Sequence, residues 1–454
     1  MDVIITIISF ITLISLIVGI HELGHFSVAR YFNIHVLKFK IGFGKELYSF
    51  QDKNECKYSL GILPLGGYVQ MLGENVIPEV REDSKFINKK SYLDATLNER
   101  AAVTAAGPAA NFLLAIVIYF LIALIGTTHL GSYVGGVKQG SLAEEANIGL
   151  RDKIVRIDET RLDTFNEINV ILSNRIGDTG SIDIGFIKEG SNFTSYSTVD
   201  ITNWLSSSDQ SNPARSFGIE PLVPPIIGGL LENGPASRVG LQAGDIIQSV
   251  NKKPINSWSE LSKSLSNLPN EIISIGILRG SESFLYSLRT DSFDQNGVNK
   301  GRIGIYASND LSQWPEEIVI KKKENLFNAF LTGFTDTYKF TKLILVSIGK
   351  MITGSVSAEN IGGPIQISVL AGSAAKAGLL SFLSMIAILS INLGLINLFP
   401  IPVLDGGQLL MIVIERVKGS PVSKNFLEHS IRIGVLLVAS LMIFAFVNDI
   451  VRLI

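Results

Sequence analysis

The sequence has little charge, few histidines and almost no cysteine. Charged residues make up 18% of its 454 residues, whereas about a quarter is usual in soluble chains, so membrane segments are expected. The formal net charge of −2 excludes a globally basic nucleic-acid-binding protein. A single cysteine, Cys56, excludes both an internal disulfide framework and a cysteine-based zinc cluster. With five histidines, a metal site has few candidate ligands.

Four apolar runs predict four membrane-spanning helices, because a bilayer core of about 30 Å takes about 20 apolar residues in a helix. The first, at residues 1–29, lacks the basic segment that begins a secretory signal peptide, so we interpret it as a span. The others are residues 101–126, 379–414 and 433–454. The expected fold class is a polytopic α-helical membrane protein.

The distribution of lysine and arginine predicts the orientation of the spans. These residues are frequent at residues 30–100, between the first two spans, and at 415–432, between the last two. Cytoplasmic loops carry such an excess. We therefore expect both termini, and the long region between the second and third spans, to lie outside the cytoplasm.

That outer region contains an internal repeat with an offset of 93 residues, from Asp152 to Asp245. In both copies a β-rich stretch, a small-residue helix pattern and an Asp precede an alternating strand. The pattern resembles the PDZ domains of bacterial proteases, which bind an extended peptide by adding it to a sheet edge. We expect two α/β PDZ domains, residues 130–205 and 213–310, with a polar linker at 206–212.

The first copy departs from the usual glycines of this pattern at Asn147 and Arg151. Asparagine tolerates a left-handed backbone, whereas Arg151 leaves the shape of its turn, and ligand binding by this copy, open. The alternative is that both copies are spacers that bind no peptide.

The segment at residues 311–378 is interpreted as membrane-associated and amphipathic. Within it, residues 326–351 mix apolar residues with Lys339, Lys342 and Lys350. This pattern favours a helix that lies on the membrane or packs against the PDZ pair over a helix that spans the bilayer.

The strongest chemical signal ends the first span, in His21-Glu22-Leu23-Gly24-His25. Helix positions i and i+4 share a face, so both imidazoles can bind one metal ion with Glu22 beside it. The alternative is two buried core histidines next to a buried glutamate, but ionisable residues within membrane helices are costly and usually functional. We predict a zinc site in which Glu22 is the catalytic base.

A catalytic zinc ion takes three protein ligands and keeps one position open. His35, His129 and His429 are poor candidates for the third ligand, because they lie outside the apolar runs. Asp405 is the single charged residue of the third run and follows two prolines, which interrupt a helix. We predict Asp405 as the third ligand; the alternative is a polar cap on a broken helix.

Two asparagines, Asn392 and Asn397, precede Asp405 by a few turns. Their amides either bind the substrate backbone and steady an oxyanion, or form helix–helix hydrogen bonds. Both interpretations stay open at this point.

The region at residues 30–100 contains an alternating stretch, 38–72, that predicts a membrane-associated β-hairpin. At membrane depth an open strand is tolerated only where it is buried in protein or lines a cavity. An edge strand beside the metal would clamp a substrate segment unwound from its own helix. Gly66, Gly67 and Tyr68 are its candidate substrate contacts.

Taken together, these motifs resemble the site-2 protease family (peptidase family M50), in its regulator-of-sigma-E (RseP) type. The resemblance covers nearly the whole chain and is carried by the segments at 21–26, 64–68, 106–112 and 392–407. Two tandem PDZ domains favour this branch over relatives with one PDZ domain or with a cytoplasmic nucleotide-sensing domain.

The resemblance implies an intramembrane zinc metalloendopeptidase of a bacterial inner membrane, with periplasmic PDZ domains and an active site near the cytoplasmic side. It implies regulated cleavage of membrane-anchored substrates, such as an anti-sigma factor, and of remnant signal peptides. It also implies that the PDZ pair excludes untrimmed substrates and that the edge strand and the asparagine pair engage the substrate. The sequence leaves the oligomeric state open.

The alternative to a protease is a non-catalytic membrane scaffold whose PDZ pair recruits partners around a structural zinc ion. Three protein ligands and an intact Glu22 favour the protease.

Overall fold

The structure is a computed structural model that describes residues 2–73, 86, 88–205, 212–295, 297–354 and 362–453. The linker predicted at 206–212 lies, up to residue 211, outside the described residues. The helices are α1 (Asp2–Tyr31), α2 (Leu97–Ile125), α3 (Leu142–Glu145), α4 (Phe165–Ser173), α5 (Pro213–Phe217), α6 (Pro235–Arg238), α7 (Trp258–Ser266), α8 (Leu326–Ile352), α9 (Pro364–Ala377), α10 (Leu379–Asn397), α11 (Asp405–Lys418) and α12 (Lys424–Leu453).

The strands are short outside one long hairpin. They are β1 (Val36–Gln51), β2 (Lys57–Met71), β3 (Thr127–Leu130), β4 (Val134–Val137), β5 (Lys153–Ile157), β6 (Thr160–Arg161), β7 (Gly180–Ile187), β8 (Thr194–Ile201), β9 (Ile219–Pro221), β10 (Ile227–Leu230), β11 (Ile246–Val250), β12 (Lys253–Pro254), β13 (Ile272–Arg279), β14 (Glu282–Arg289), β15 (Asp291–Gln295), β16 (Val298–Arg302), β17 (Ile305–Ala307) and β18 (Val319–Lys322).

Among the described residues, four helices are long and apolar enough to cross a membrane, namely α1, α2, α10 and α12. This finding confirms the number of predicted spans. The third predicted span, residues 379–414, is interrupted before Asp405, as its two prolines predict: α10 ends at Asn397 and α11 begins at Asp405. The connection between them contains both prolines, and proline donates no backbone hydrogen bond and clashes with a preceding helical turn.

Two helix starts lie earlier than the apolar runs predict. The fourth span begins at Lys424 rather than at residue 433, and the second at Leu97 rather than at 101. In the second, the Thr96 side chain accepts from the Glu99 N–H, and the Glu99 carboxylate accepts from the Thr96 N–H at 2.8 Å. A reciprocal cap of this kind starts a helix in polar sequence, which a count of apolar residues does not detect.

The described chain divides into two compact units. The first consists of Met1–Gly126, Lys323–Ile348 and Ala358–Ile454, and the second of Thr127–Lys322 and Gly349–Ser357. The first unit therefore contains the four apolar helices and the long hairpin, and the second contains the repeat.

In the first unit, α1 packs against α2, α9 and α10, and α2 packs against α10 and α11. Their shared core contains Leu13, Ile17, Ala115, Ile118 and Ile391, all nearly or wholly buried. Because α1, α2 and α10 are apolar around most of their surface, close contacts between small residues are expected to contribute to their packing.

The segment predicted as an amphipathic helix at 326–351 is confirmed as helix α8. It lies against α2: a Cβ built on Gly333 would be 2.7 Å from the carbonyl oxygen of Ile116, and the rings of Tyr119 and Phe340 stack with centroids 5.5 Å apart. Large apolar side chains along another face of α8, including Phe327 and Tyr338, are exposed. Its association with the membrane surface stays a prediction.

A buried carboxylate joins α12 to the start of α9. Asp449 accepts hydrogen bonds from the backbone N–H groups of Gly363 and Ile365 at 2.8 Å and of Gln366 at 3.2 Å. The first N–H groups of a helix have no partner within it, and the positive end of the helix favours an anion. The side chain of Asp449 therefore caps α9.

The hairpin predicted within residues 38–72 is confirmed as β1 and β2, which pair antiparallel and pack against α1. Phe39 lies in an aromatic cluster with Phe26 and Tyr58. Farther along the hairpin, Leu47 and Ile62 are exposed, as expected of a surface that meets lipid or a partner. Its membrane association also stays a prediction.

In the second unit, the two repeat copies fold alike, which confirms the repeat. One four-stranded sheet has the order β6-β5-β7-β8, and the other has the order β12-β11-β13-β14. Each copy has its own apolar core, around Ile154, Ile184 and Phe186 in the first and around Ile247, Ile275 and Ile277 in the second.

The turn before the repeated aspartate is left-handed in both copies. Asn147 and Arg151 have φ values of 59° and 64°, and the equivalent Gly240 and Gly244 have 84° and 91°. The turn shape that Arg151 leaves open is therefore the one found in the second copy. The Arg151 side chain forms ion pairs with Glu189 at 2.9 Å and Glu317 at 3.2 Å.

The first and last strands of the second unit's main segment pair with each other. Strands β3 and β18 are antiparallel, and Thr127 lies opposite Lys322. This main segment, Thr127–Lys322, therefore begins and ends at neighbouring points.

Replacement of Gly244 by alanine is expected to lower the free energy of unfolding of the second unit by about 1 kcal/mol, since a non-glycine residue is strained at positive φ. No neighbouring atom lies within 4 Å of a built Cβ, so this effect is conformational rather than steric. All three tryptophans, Trp204, Trp258 and Trp314, lie in this unit, so their fluorescence during denaturant unfolding of the full chain reports on it.

The exposed neighbour Gln242 provides the matched control, because Gln242→Ala changes no left-handed residue and is expected to stay within about 0.5 kcal/mol. Equal stability of the two variants would contradict the assignment of strain to this turn.

Candidate metal centre

The last turns of α1 carry three polar side chains on an otherwise apolar helix. His21, Glu22 and His25 are 7%, 9% and 8% exposed. The i, i+4 spacing places the two imidazoles on one face, and Nε2 of His21 lies 3.3 Å from Nε2 of His25. The sequence prediction that these two rings meet is confirmed.

Asp405 reaches the same point from a different helix. Its Oδ2 atom lies 3.2 Å from Nε2 of His21 and 3.5 Å from Nε2 of His25. Asp405 is the first residue of α11, where the positive end of the helix stabilises an ionised carboxylate. The interruption of the helix after α10 thus places a negatively charged carboxylate, which can serve as a metal ligand, beside the histidines.

The three atoms fit a zinc ion. Tetrahedral ligands at about 2.0–2.1 Å from zinc lie about 3.3–3.4 Å from one another, and the three edges here are 3.2, 3.3 and 3.5 Å. Oδ2 of Asp405 is buried without a hydrogen-bond donor among the described residues, so three lone pairs converge on one point. A cation satisfies all three, and three ligands leave a fourth tetrahedral position open.

Helix α2 orients the ring of His25. Nδ1 of His25 donates to the carbonyl oxygen of Val103 at 2.8 Å, which leaves Nε2 unprotonated and free to bind a metal. A Cβ built on Gly107 would lie 2.2 Å from that Nε2 atom. Glycine at this position is therefore required for α2 to approach the ring.

Asn111 of α2 plays the corresponding part for His21. Its amide nitrogen is placed 3.2 Å from Nδ1 of His21, while its Oδ1 atom has no partner among the described residues. Amide oxygen and nitrogen are assigned from their hydrogen bonds, and a half-turn of the amide lets Oδ1 accept from the His21 Nδ1–H. His21 then presents an unprotonated Nε2 to the centre, as His25 does.

The roles of Val103 and Asn111 were not predicted from the sequence. A backbone carbonyl carries no residue-type signal, so Val103 could not have been found. Asn111 could have been found, because it is the one asparagine in the apolar run at 101–126, and it is wholly buried.

Two of the predicted substrate residues adjoin the metal-ligand set. The Asn397 amide nitrogen lies 3.3 Å from Nε2 of His21. A Cβ built on Gly67 would lie 2.9 Å from Cγ of Glu22, so the backbone of β2 passes directly beside the predicted base.

The other predicted substrate residues lie farther along the same elements. Asn392 is half-buried on α10, about one and a half turns before Asn397. Gly66 faces the ring of Phe43, and the Lys38 ammonium lies 5.7 Å from the centre of the Tyr68 ring.

Within the described ranges, His21, His25 and Asp405 are the one group of three or more possible ligands that come together. The prediction that His129 and His429 are not metal ligands agrees with the contacts that these two residues make. His129 pairs with Thr127 at 2.6 Å in the second unit, and His429 lies against the carbonyl oxygen of Asn425 on α12.

Comparison with known proteins places the chain in a family. The profile of peptidase family M50 matches residues 9–441. The regulator of sigma-E protease RseP of Salmonella typhimurium is 35% identical over 448 residues, and that of Escherichia coli is 36% identical over 451; each alignment covers 98% of both chains. A Pasteurella multocida protein named for zinc metalloprotease activity is 33% identical over 449 residues, again 98% of both chains.

Among solved structures, the PDZ domain of an SdrC-like protein from Listeria monocytogenes covers 19% of this chain and 88% of its own. The identity is 22% and the TM-score 0.17, too low for this likeness to carry an argument. The matches that span the chain are to a peptidase family and to proteins named as proteases and as a zinc metalloprotease. The chain belongs to peptidase family M50 and is a zinc metalloprotease that performs regulated intramembrane proteolysis.

Proposed function

We propose that His21, His25 and Asp405 are the zinc ligands of this protease and that Glu22 is its general base. The observation that carries the proposal is the triangle of donor atoms, whose edges of 3.2, 3.3 and 3.5 Å match those of a tetrahedral zinc site. The hydrogen bond from His25 to Val103 and the contact of Asn111 with His21 support it, because metal-binding histidines are oriented in this way.

When bound, zinc supplies Lewis acidity that activates water and polarises the scissile carbonyl. The Glu22 carboxylate takes a proton from the attacking water and delivers it to the leaving amine nitrogen. Burial of Glu22 to 9% exposure keeps bulk water from competing for that proton. The proton therefore returns to the substrate as the peptide bond breaks.

The strand β2 and Asn397 are proposed to hold the substrate. The backbone of β2 passes Glu22 at Gly67, so an extended peptide added to this strand brings its carbonyl groups to the base. The amide of Asn397, beside His21, is positioned to donate to a carbonyl oxygen as negative charge develops on it. Asn392, Gly66 and Tyr68 are proposed to contact the substrate farther along the same elements.

The protein is a multi-pass inner-membrane protein. The distribution of lysine and arginine supports the proposal that both termini and the second unit face the periplasm, with the metal centre toward the cytoplasmic side. We propose that the two repeat copies are PDZ domains that limit access of untrimmed proteins. The proposed substrates are membrane-anchored proteins with one span, of the anti-sigma-factor kind, and remnant signal peptides.

Replacement of Glu22 by glutamine is expected to lower cleavage at least about 100-fold, because the amide cannot take a proton from water. Zinc content is expected to be unchanged. The measurement is cleavage of a single-span model substrate by full-length protein in membranes, with zinc quantified in the same samples.

The exposed Glu428 on α12 offers a matched control, and Glu428→Gln is expected to cleave like the wild type. Equal cleavage by wild type and Glu22→Gln, or no cleavage by the wild type with zinc bound, would contradict the role of Glu22. The second outcome would favour a scaffold with structural zinc.

Replacement of Asn111 by alanine is expected to weaken zinc binding by about 10–100-fold, as for other groups that orient metal-binding histidines. The variant leaves the His21 ring without its Nδ1 partner. The measurement is competition for zinc between the full-length protein and a chelator of known affinity.

Ser390→Ala is the control for packing at this point, because Ser390 is also wholly buried and donates to the backbone oxygen of Asn111 at 2.9 Å. Zinc affinity of Asn111→Ala no weaker than that of Ser390→Ala would overturn the orienting role.

A further inference from the structure

The third zinc ligand depends on the position of a separate helix. His21 and His25 belong to one continuous helix, α1, whereas Asp405 begins α11 after the proline-containing connection. A metal site tolerates errors in ligand distance of about 0.2 Å. Helix α11 must therefore be held in place by contacts other than those of Asp405 itself.

Two side-chain contacts join the far end of α11 to the first turn of α2. Nη2 of Arg100 lies 2.7 Å from Oε1 of Glu415, and the two side chains are 15% and 18% exposed. The neighbouring Arg416 donates to Oδ1 of Asn98 at 3.1 Å. Because the charged pair is mostly buried, it is screened less than a surface ion pair.

Each charge of this pair lies at the end of its own helix that disfavours it. Arg100 lies in the first turn of α2, where the helix end is positive, and Glu415 lies in the last turn of α11, where it is negative. Neither charge therefore stabilises its own helix. Each stabilises the end of the other helix, so the pair joins the two helices to each other.

Helix α2 is also the helix that orients both histidines. The carbonyl of Val103, three residues after Arg100, accepts from His25, and Asn111 contacts His21. Glu415 lies ten residues, or about 15 Å of helix, after Asp405. One helix thus determines the positions of the histidine rings and, through its first turn, of the helix that carries the carboxylate.

We propose that the Arg100–Glu415 pair is a positioning device that sets the register of α11 on α2 and so places Asp405 in the metal centre. The inference rests on the proposed zinc site. A slip of α11 by one residue moves Asp405 by about 1.5 Å along the helix axis and about 100° around it, more than a zinc ligand tolerates. Arg100 and Glu415 touch neither substrate nor metal and act through Asp405.

The test compares Arg100→Glu, Glu415→Arg and the double exchange in the full-length protein. Each single exchange creates two like charges at the contact and is expected to speed zinc loss to a chelator by about 10-fold. The double exchange restores opposite charges and places each charge at the helix end that favours it. Its rate of zinc loss is therefore expected to lie within about threefold of the wild-type rate.

A second measurement separates positioning from general stability. The visible absorption of the cobalt-substituted protein reports the geometry of its ligands, and the single exchanges are expected to change it while the double exchange restores it. Lys418→Met, which removes an exposed positive charge from the same last turn of α11, is the matched control and is expected to leave both readings unchanged. Where a single exchange does not accumulate, Arg100→Gln removes the pair without repulsion and gives the same comparison.

The proposal would be overturned if the single exchanges lost zinc at the wild-type rate and showed the wild-type cobalt absorption. It would also be overturned if the double exchange folded but restored neither the rate nor the absorption. Asp405→Ala separates this failure from failure of the zinc site. If that variant retains zinc like the wild type, the ligand assignment itself is wrong. If it loses zinc and the Arg100 variants do not, the positioning role alone is wrong.

Discussion

The convergence of three lone-pair donors at the end of α1 is the constraint on which the rest of the membrane unit depends. A polar group in a membrane helix costs several kcal/mol unless it finds a partner, so two imidazoles and a carboxylate in this position need both a cation and hydrogen bonds. The neighbouring helix α2 supplies the hydrogen bonds through the Val103 carbonyl and the Asn111 amide. It comes close enough to do so because Gly107 has no side chain.

A carboxylate reaches this site only because the third apolar run is broken. An unbroken helix over residues 379–414 would leave Asp405 in the middle of a span, opposed by desolvation. At the first residue of α11 the same carboxylate faces a helix N-terminus, which lowers the cost of its charge. The two prolines of the connection therefore serve the chemistry as well as the fold.

The parts of the site that follow local geometry could be predicted from the sequence. The pairing of His21 and His25 follows from helix periodicity alone, and Asp405 follows because its run contains no other charged residue. Asn111 was missed because its role arises from a contact between helices 90 residues apart in sequence. The interruption before Asp405 could be predicted from its prolines, whereas the exact ends at Asn397 and Asp405 could not, because hydropathy measures side chains and the end of a helix is decided by backbone hydrogen bonds.

In the second unit, the antiparallel pairing of β3 with β18 has a consequence for the segment between these strands. Paired strands lie about 4.8 Å apart, so the segment Thr127–Lys322, which contains both repeat copies, begins and ends at adjacent points. When the two ends of a folded segment lie close together, inserting it into a chain costs little loop-closure entropy. The pairing of Thr127 with Lys322 therefore fixes the separation of the two ends independently of the length of the segment between them.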